Sequence, residues 1–237
     1  VETIRAGVGA GLKINTRRAS GDYASGLNEL PVQELLREQL QPGAVFYDVG
    51  ANIGFFGLLG ARLVGATGKV FAFEPVPQNA VLVRENFALN GFAHAQVIAK
   101  AVASQAGQVD LLLSRHPGGA TLHTDARPAD AEGTITVEQV ALDDLVFGGQ
   151  LPAPTFVKID VEGAELDVLR GMQRLLAEVR PRLVFEIDDE TEAGVRSKVA
   201  LCSDLLASFQ YQITELPDSY PTLNWNVAHF LAVPRSV

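Results

Sequence analysis

Residues 45–54 read Val45-Phe46-Tyr47-Asp48-Val49-Gly50-Ala51-Asn52-Ile53-Gly54, a short apolar run that ends in an acid and breaks into two glycines. The run has the length and make-up of a strand buried on both faces, and the pattern over 53–64 continues as a helix. Strand, glycine turn and helix in that order form a βα unit whose loop can approach a ligand closely. The spacing is D-x-G-x-x-x-G, not the G-x-G-x-x-G that cradles a dinucleotide pyrophosphate. Asp48 at the strand end is poorly suited to phosphate and well suited to a ligand carrying positive charge. Taken alone, the glycine pair is equally an ordinary βα turn.

The same alternation extends outward in both directions. Leu27, Leu30, Leu35, Leu36 and Leu40 predict a helix over 26–40, stopped by Pro42-Gly43. Strands are expected at 69–73, 95–99, 155–159 and 182–187, and helices at 78–89, 164–177 and 191–208. Strands at 108–113 and 134–140 have no helix between them, and 211–216 with 229–233 should close the chain as an antiparallel edge hairpin. Apolar strands alternating with helices predict an open, doubly wound α/β sheet with helices on both faces. Residues 1–24 are poor in large apolar side chains and carry Arg5, Lys13, Arg17 and Arg18, so an extended arm is expected there.

Composition narrows the function. The chain has 237 residues, 47% of them hydrophobic and 20% charged, which suits one sizeable globular domain. Lys plus Arg number 19 against 28 Asp plus Glu, a formal charge of −9 that disfavours general nucleic-acid or membrane-surface binding. One cysteine, Cys202, rules out an internal disulfide, and His94, His116, His123 and His229 show no HExxH or close HxH spacing. No metal site is expected on that spacing. No apolar run reaches the roughly 18 residues of a membrane span, and no secretory leader opens the sequence, so a cytoplasmic setting is expected.

Two further strand ends carry acids. Glu74 follows Phe71-Ala72-Phe73, 20 residues beyond Gly54, where an acid can accept both hydroxyls of a ribose. Asp160 ends the run Val157-Lys158-Ile159, ahead of Glu162, Gly163 and Glu165. Acids at a helix N-terminus stabilise any helix, which accounts for Glu162 and Glu165 without a ligand. Asp160 and Asp48 would share one crevice and repel unless a cation or donor lies between them.

These segments resemble the FkbM family of S-adenosylmethionine-dependent methyltransferases. DVGANIG at 48–54, FAFEP at 71–75 and VKIDVEGAELDVLRGM at 157–172 carry the resemblance, with weaker agreement from VALDDL at 140–145 and PRLVFE at 181–186. It implies a Rossmann-like sheet of seven strands, the last antiparallel, in a methyltransferase domain spanning 25–237, with 114–133 as a lid or acceptor-site insert. It also implies S-adenosylmethionine as cofactor. Asp48, Gly50, Asn52 and Gly54 would line the loop under the methionine part, Glu74 would hold the ribose, Ala101 and Val102 would border the adenine, and Asp160 would sit beside the transferring methyl.

The implied reaction is O-methylation of a sugar or natural-product hydroxyl. Asp160 is the first candidate for electrostatic or base assistance, and Glu186, ending the fifth strand, for orienting the acceptor. N-methylation of a peptide side chain, an NAD(P)-dependent oxidoreductase and a non-catalytic cofactor-fold binding protein remain alternatives. Asp160, Glu165 and Glu186 offer enough oxygen for magnesium in principle. His123 in the insert, and Tyr220 and Trp225 in the loop 217–226, are candidate walls of an acceptor site; His229 reads as structural.

Overall fold

The computed structural model describes residues 1–19, 21–114, 120–122, 131–220 and 226–235. A hairpin of β1 (Glu2–Thr3) and β2 (Lys13–Ile14) leads into α1 (Leu30–Gln39), β3 (Val45–Val49), α2 (Phe55–Val64), β4 (Lys69–Phe73), α3 (Pro77–Leu89) and β5 (Ala95–Ile98). Then come β6 (Ala101–Val102), β7 (Gly107–Ser114), β8 (Ala120–Leu122), β9 (Ala131–Val140) and α4 (Leu142–Phe147). The last third holds β10 (Phe156–Ile159), α5 (Glu165–Arg170), β11 (Arg182–Asp188), α6 (Glu192–Ser208), β12 (Tyr211–Glu215) and β13 (Val227–Pro234).

Seven strands form the main sheet in the order β12-β13-β11-β10-β3-β4-β5, with β13 antiparallel to both of its neighbours. The expected doubly wound sheet with an antiparallel last strand is therefore present. From β3 the chain builds outward through β4 and β5, whereas β10 leads the other way through β11. Strand order reverses between β3 and β10, which opens a crevice at their carboxyl ends. The strands expected around 108–113 and 134–140 pair with each other in a separate four-stranded sheet, β6-β9-β7-β8.

The period of two along each central strand splits the core in two. Phe46, Phe156 and Val184 face α1, α2 and α3 with Leu36, Leu58 and Leu82. Tyr47, Val157 and Phe185 face the other way, onto Leu169 of α5 and Leu206 of α6. Each fully buried side chain of this kind contributes about 1.5–3 kcal/mol. Among the described residues no helix is long and apolar enough to cross a membrane.

Three local expectations are corrected. Residues 1–24 are no loose arm: Ile4, Leu12, Ile14 and Ala24 are buried in the first core, and Arg62 of α2 donates to the carbonyls of Val8 and Ala10. Few apolar residues suffice there because Ile4, Leu12 and Ile14 all point inward. The helix expected from 26 begins at Leu30, since Gly26 and Glu29 both take positive φ, 77° and 46°. The helix expected over 164–177 stops at Arg170, and the chain resumes in a π-helical turn, Leu175–Val179.

Candidate active site

Glycine at position 50 is required by backbone contact. Its φ is +82°, and a Cβ there would lie 1.6 Å from the Asp160 carbonyl oxygen. The β3 loop and the end of β10 therefore touch across the crevice. Gly50 N and Ala51 N donate to Phe73 O at 3.1 and 3.0 Å, which ties the same loop to β4. Glu74 completes the tie, accepting from Asn52 N at 2.7 Å and from Val76 N at 2.9 Å. Burial pushes the Glu74 carboxyl up to about 8 against these donors.

A narrow cleft lies over this loop, with Gly50, Asn52, Glu74, Ala101, Val102 and Asp160 among its walls. Asn52 Oδ1 is buried without a hydrogen-bond partner among the described residues, an acceptor left for a ligand N–H or O–H. Its free volume is about 90 Å³, below the roughly 300–1,000 Å³ of typical small-molecule sites. A second cavity of about 710 Å³ lies beyond, walled by Tyr23, Glu29, Lys158, Glu186 and Asp188. Gly50, Asn52, Asp160 and Glu162 belong to both.

Lys158 organises the wall between them. Its ammonium, 4% exposed, pairs with Asp160 Oδ2 at 2.8 Å and lies over the Phe56 ring. Burial alone would lower its pKa, but Asp160, Asp48 and Glu29 hold it above the ordinary lysine value. Glu162, in the turn after β10 with φ +55°, is pushed up to about 8 by burial and then by Asp160, Asp188 and Glu186. Such a group of converging carboxyls favours a bound cation.

Deeper in the second cavity, Glu186 and His229 are register partners across β11 and β13. His229 Nε2 lies 2.8 Å from Glu186 Oε2 and 3.2 Å from Glu29 Oε2. Burial would lower the imidazole pKa, but the two carboxylates raise it; burial in turn raises Glu186. Burial also acts to raise Glu29, which His229 and Lys158 nonetheless hold below its ordinary value.

Asp48 and Gly54 do not line either cavity. Asp48 is fully buried beside Lys158, its register partner on β10, with Gly57 of α2 packed against its carboxylate. Gly54 starts α2 at φ +85°, where a Cβ would meet Val83 at 2.8 Å. Glu165 turns back to accept from Val161 N and Gly163 N, so it does not join Asp160 and Glu186. His123 and Trp225 lie outside the described residues; Tyr220, from the same loop as Trp225, walls the second cavity. Sequence reasoning missed Glu29 and gave Lys158 no role. A charge within each apolar stretch, Lys158 in Phe-Val-Lys-Ile and Glu29 in Leu-Asn-Glu-Leu, was the available signal.

A model of the Methyltransferase FkbM domain matches residues 48–213. The hexuronic acid methyltransferase AglP of Haloferax volcanii is 34% identical over 170 residues, covering 72% of this chain and 65% of its own length. The 2-O-methyltransferase NoeI of Sinorhizobium fredii is 26% identical over 224 residues, covering 84% of this chain and 88% of its own. Among solved structures, the methyltransferase FkbM of Methylobacillus flagellatus superposes with a TM-score of 0.53 at 20% identity, over 91% of this chain and 56% of that one. That likeness shows the Rossmann-like methyltransferase fold. The chain thus spans about two thirds of the archaeal relative's length and about half of the solved chain's.

Proposed function

The chain belongs to the FkbM methyltransferase family, and from that premise we propose that it transfers a methyl group from S-adenosylmethionine to a hydroxyl of a sugar or small natural product. The observation that carries this reading is the meeting of two cavities at Asp160. A cofactor and an acceptor must be held on either side of one transferring carbon, and the fold supplies two adjoining spaces with a shared wall.

S-adenosylmethionine, when bound, supplies a methyl group on a positively charged sulfur. The residues of the narrow cleft fit it chemically. Glu74 stands where a ribose would offer its hydroxyls, Ala101 and Val102 border an adenine, and Asn52 Oδ1 is free to accept from the cofactor's amino-acid end. Asp160, fixed by Lys158, sets negative charge beside the sulfonium and the path of transfer. Glu186 faces the acceptor from the far wall. In the transfer the O–CH₃ bond forms as the S–CH₃ bond breaks, and the acceptor's proton leaves to a base or to solvent.

The acceptor is argued from charge and from the relatives. Glu29, Asp160, Glu186 and Asp188 outnumber Lys158 along the second cavity, which suits an uncharged hydroxyl better than a carboxylate. The printed names of NoeI and AglP, a 2-O-methyltransferase and a hexuronic acid methyltransferase, support a carbohydrate class. The test is transfer of labelled methyl from S-adenosylmethionine to a panel of neutral sugars, uronic acids, polyketide alcohols and peptides. Label on a hydroxyl supports the reading; label confined to peptide nitrogen overturns it.

A further inference from the structure

The geometry points to a divalent-cation site formed by Glu29, Glu186 and His229 at the inner end of the second cavity, taking a transition metal such as Mn²⁺ or Zn²⁺. The three residues come from separate segments, the turn ahead of α1, the end of β11 and the start of β13, and their ligand atoms all lie within 4.8 Å of one another. Their side chains are 7%, 16% and 3% exposed, so this is no cluster of solvated surface acids.

The arrangement around the imidazole is the argument. Both carboxylate oxygens converge on one ring nitrogen, Nε2, at 2.8 and 3.2 Å. That nitrogen carries at most one hydrogen, and one N–H aligns well with one acceptor. The ring, held protonated by the carboxylates, shares that one N–H between them, because its other nitrogen, Nδ1, lies 3.3 Å from the Ser219 hydroxyl. A cation seated among the three ligand atoms takes the place of that single shared hydrogen and serves both oxygens at once. Separations near 3 Å are also what neighbouring ligands need when each sits about 2.0–2.2 Å from one metal.

The surroundings match. Glu29 Oε1 is held by the Tyr220 hydroxyl and by Asn28 Nδ2, each at 3.0 Å, leaving Oε2 for the cluster. Outer hydrogen bonds of this kind, with Ser219 on the second imidazole nitrogen, orient metal ligands. Glu29 itself has φ +46°, a strained backbone for a non-glycine residue, and that strain delivers a buried carboxylate to this point. One imidazole with two carboxylates suits first-row transition metals better than magnesium or calcium, which prefer oxygen alone.

Glu29 and Glu186 both face the cavity shared with Asp160, so the open positions of such a cation would point at the acceptor. A cation there would lower the pKa of a bound hydroxyl, the help an alcohol needs before it accepts a methyl. This use rests on the transfer reading above; the site itself does not.

The experiment is titration of the metal-stripped full chain with Mn²⁺ and with Zn²⁺, without cofactor, by calorimetry and manganese spin resonance. The expected result is about one cation per chain, weakened at least about tenfold by Glu29→Gln and by His229→Gln and unchanged by Asp189→Asn. If either variant fails to fold, spin-echo spectra of wild-type protein with Mn²⁺ decide, since coupling to an imidazole nitrogen is required. No cation binding, binding without that coupling, or binding indifferent to both substitutions overturns the site. Failure of the transfer reading would show separately, as absence of S-adenosylmethionine binding or turnover.

Discussion

Lys158 Nζ donates to Asp160 Oδ2 at 2.8 Å from a fully buried position, and Asp160 is the residue at which the two cavities meet. The lysine also stands beside Asp48, its register partner on β3. One ammonium thereby offsets part of the acidic charge of the crevice and fixes the carboxylate that faces both cavities.

Removing the two partners should have different consequences. Lys158→Met leaves Asp48 and Asp160 buried without a counter-charge and should cost about 3–5 kcal/mol of stability. Asp160→Asn leaves Lys158 with Asp48 and Glu29, so the fold should survive while turnover falls about 10²-fold or more. Urea unfolding and methyl-transfer rates on both variants check this; an active Asp160→Asn enzyme would remove Asp160 from the chemistry.

Glu74→Gln should weaken S-adenosylmethionine affinity by about ten- to a hundredfold, the loss of a charge-assisted hydrogen bond. Glu74 accepts from Val76 N with Oε1 and from Asn52 N with Oε2, and Gln keeps one of these two bonds, so unfolding midpoints measured alongside separate a disturbed loop from a lost ribose contact. Unchanged affinity by calorimetry would move the ribose elsewhere.

Alanine substitutions separate contact from conformation. Gly91→Ala faces open space at φ +68° and should cost only the backbone term, about 1–2 kcal/mol. Gly50→Ala adds a collision with the Asp160 carbonyl and should prevent folding or cost several times more. Denaturant midpoints that match for the two variants would contradict the close approach of β3 and β10.

Much of this was legible in the sequence because short-range chemistry dictated it. The strand at 45–49, its glycine loop and the strand at 69–73 follow from apolar runs bounded by residues with special backbone freedom, and those fix the crevice. Asp48 is set back from both cavities because it lies within β3, where α2 packs over its carboxylate, and strand-end position alone does not reveal that depth. The Glu29–Glu186–His229 cluster was invisible for a different reason. Glu29 and His229 are 200 positions apart, and only the pairing of β11 with β13 and the left-handed turn at Glu29 bring them together.

Titration should follow from the buried acid Glu74. It is pushed up to about 8, so the folded chain holds this proton more tightly than the unfolded chain does. Its contribution to stability is complete below the ordinary value of 4.5 and is lost as pH rises to about 8. The decline is at most about 1.4 kcal/mol per pH unit. Thermal unfolding of the ligand-free protein should show it, with a shallower slope in Glu74→Gln. A cationic ligand lowers this pKa, so its binding should release protons near pH 7.5, read by calorimetry in buffers of different ionisation enthalpy. Proton uptake would have the wrong sign.

The most direct test of the account is calorimetric titration of the full chain with S-adenosylmethionine, S-adenosylhomocysteine and NAD. Micromolar binding of the first two at one site, weakened in Glu74→Gln, and no binding of NAD is the result expected of a cleft built from Asn52, Glu74 and Asp160. Binding of NAD alone, or of S-adenosylmethionine with wild-type affinity in Glu74→Gln, would contradict it.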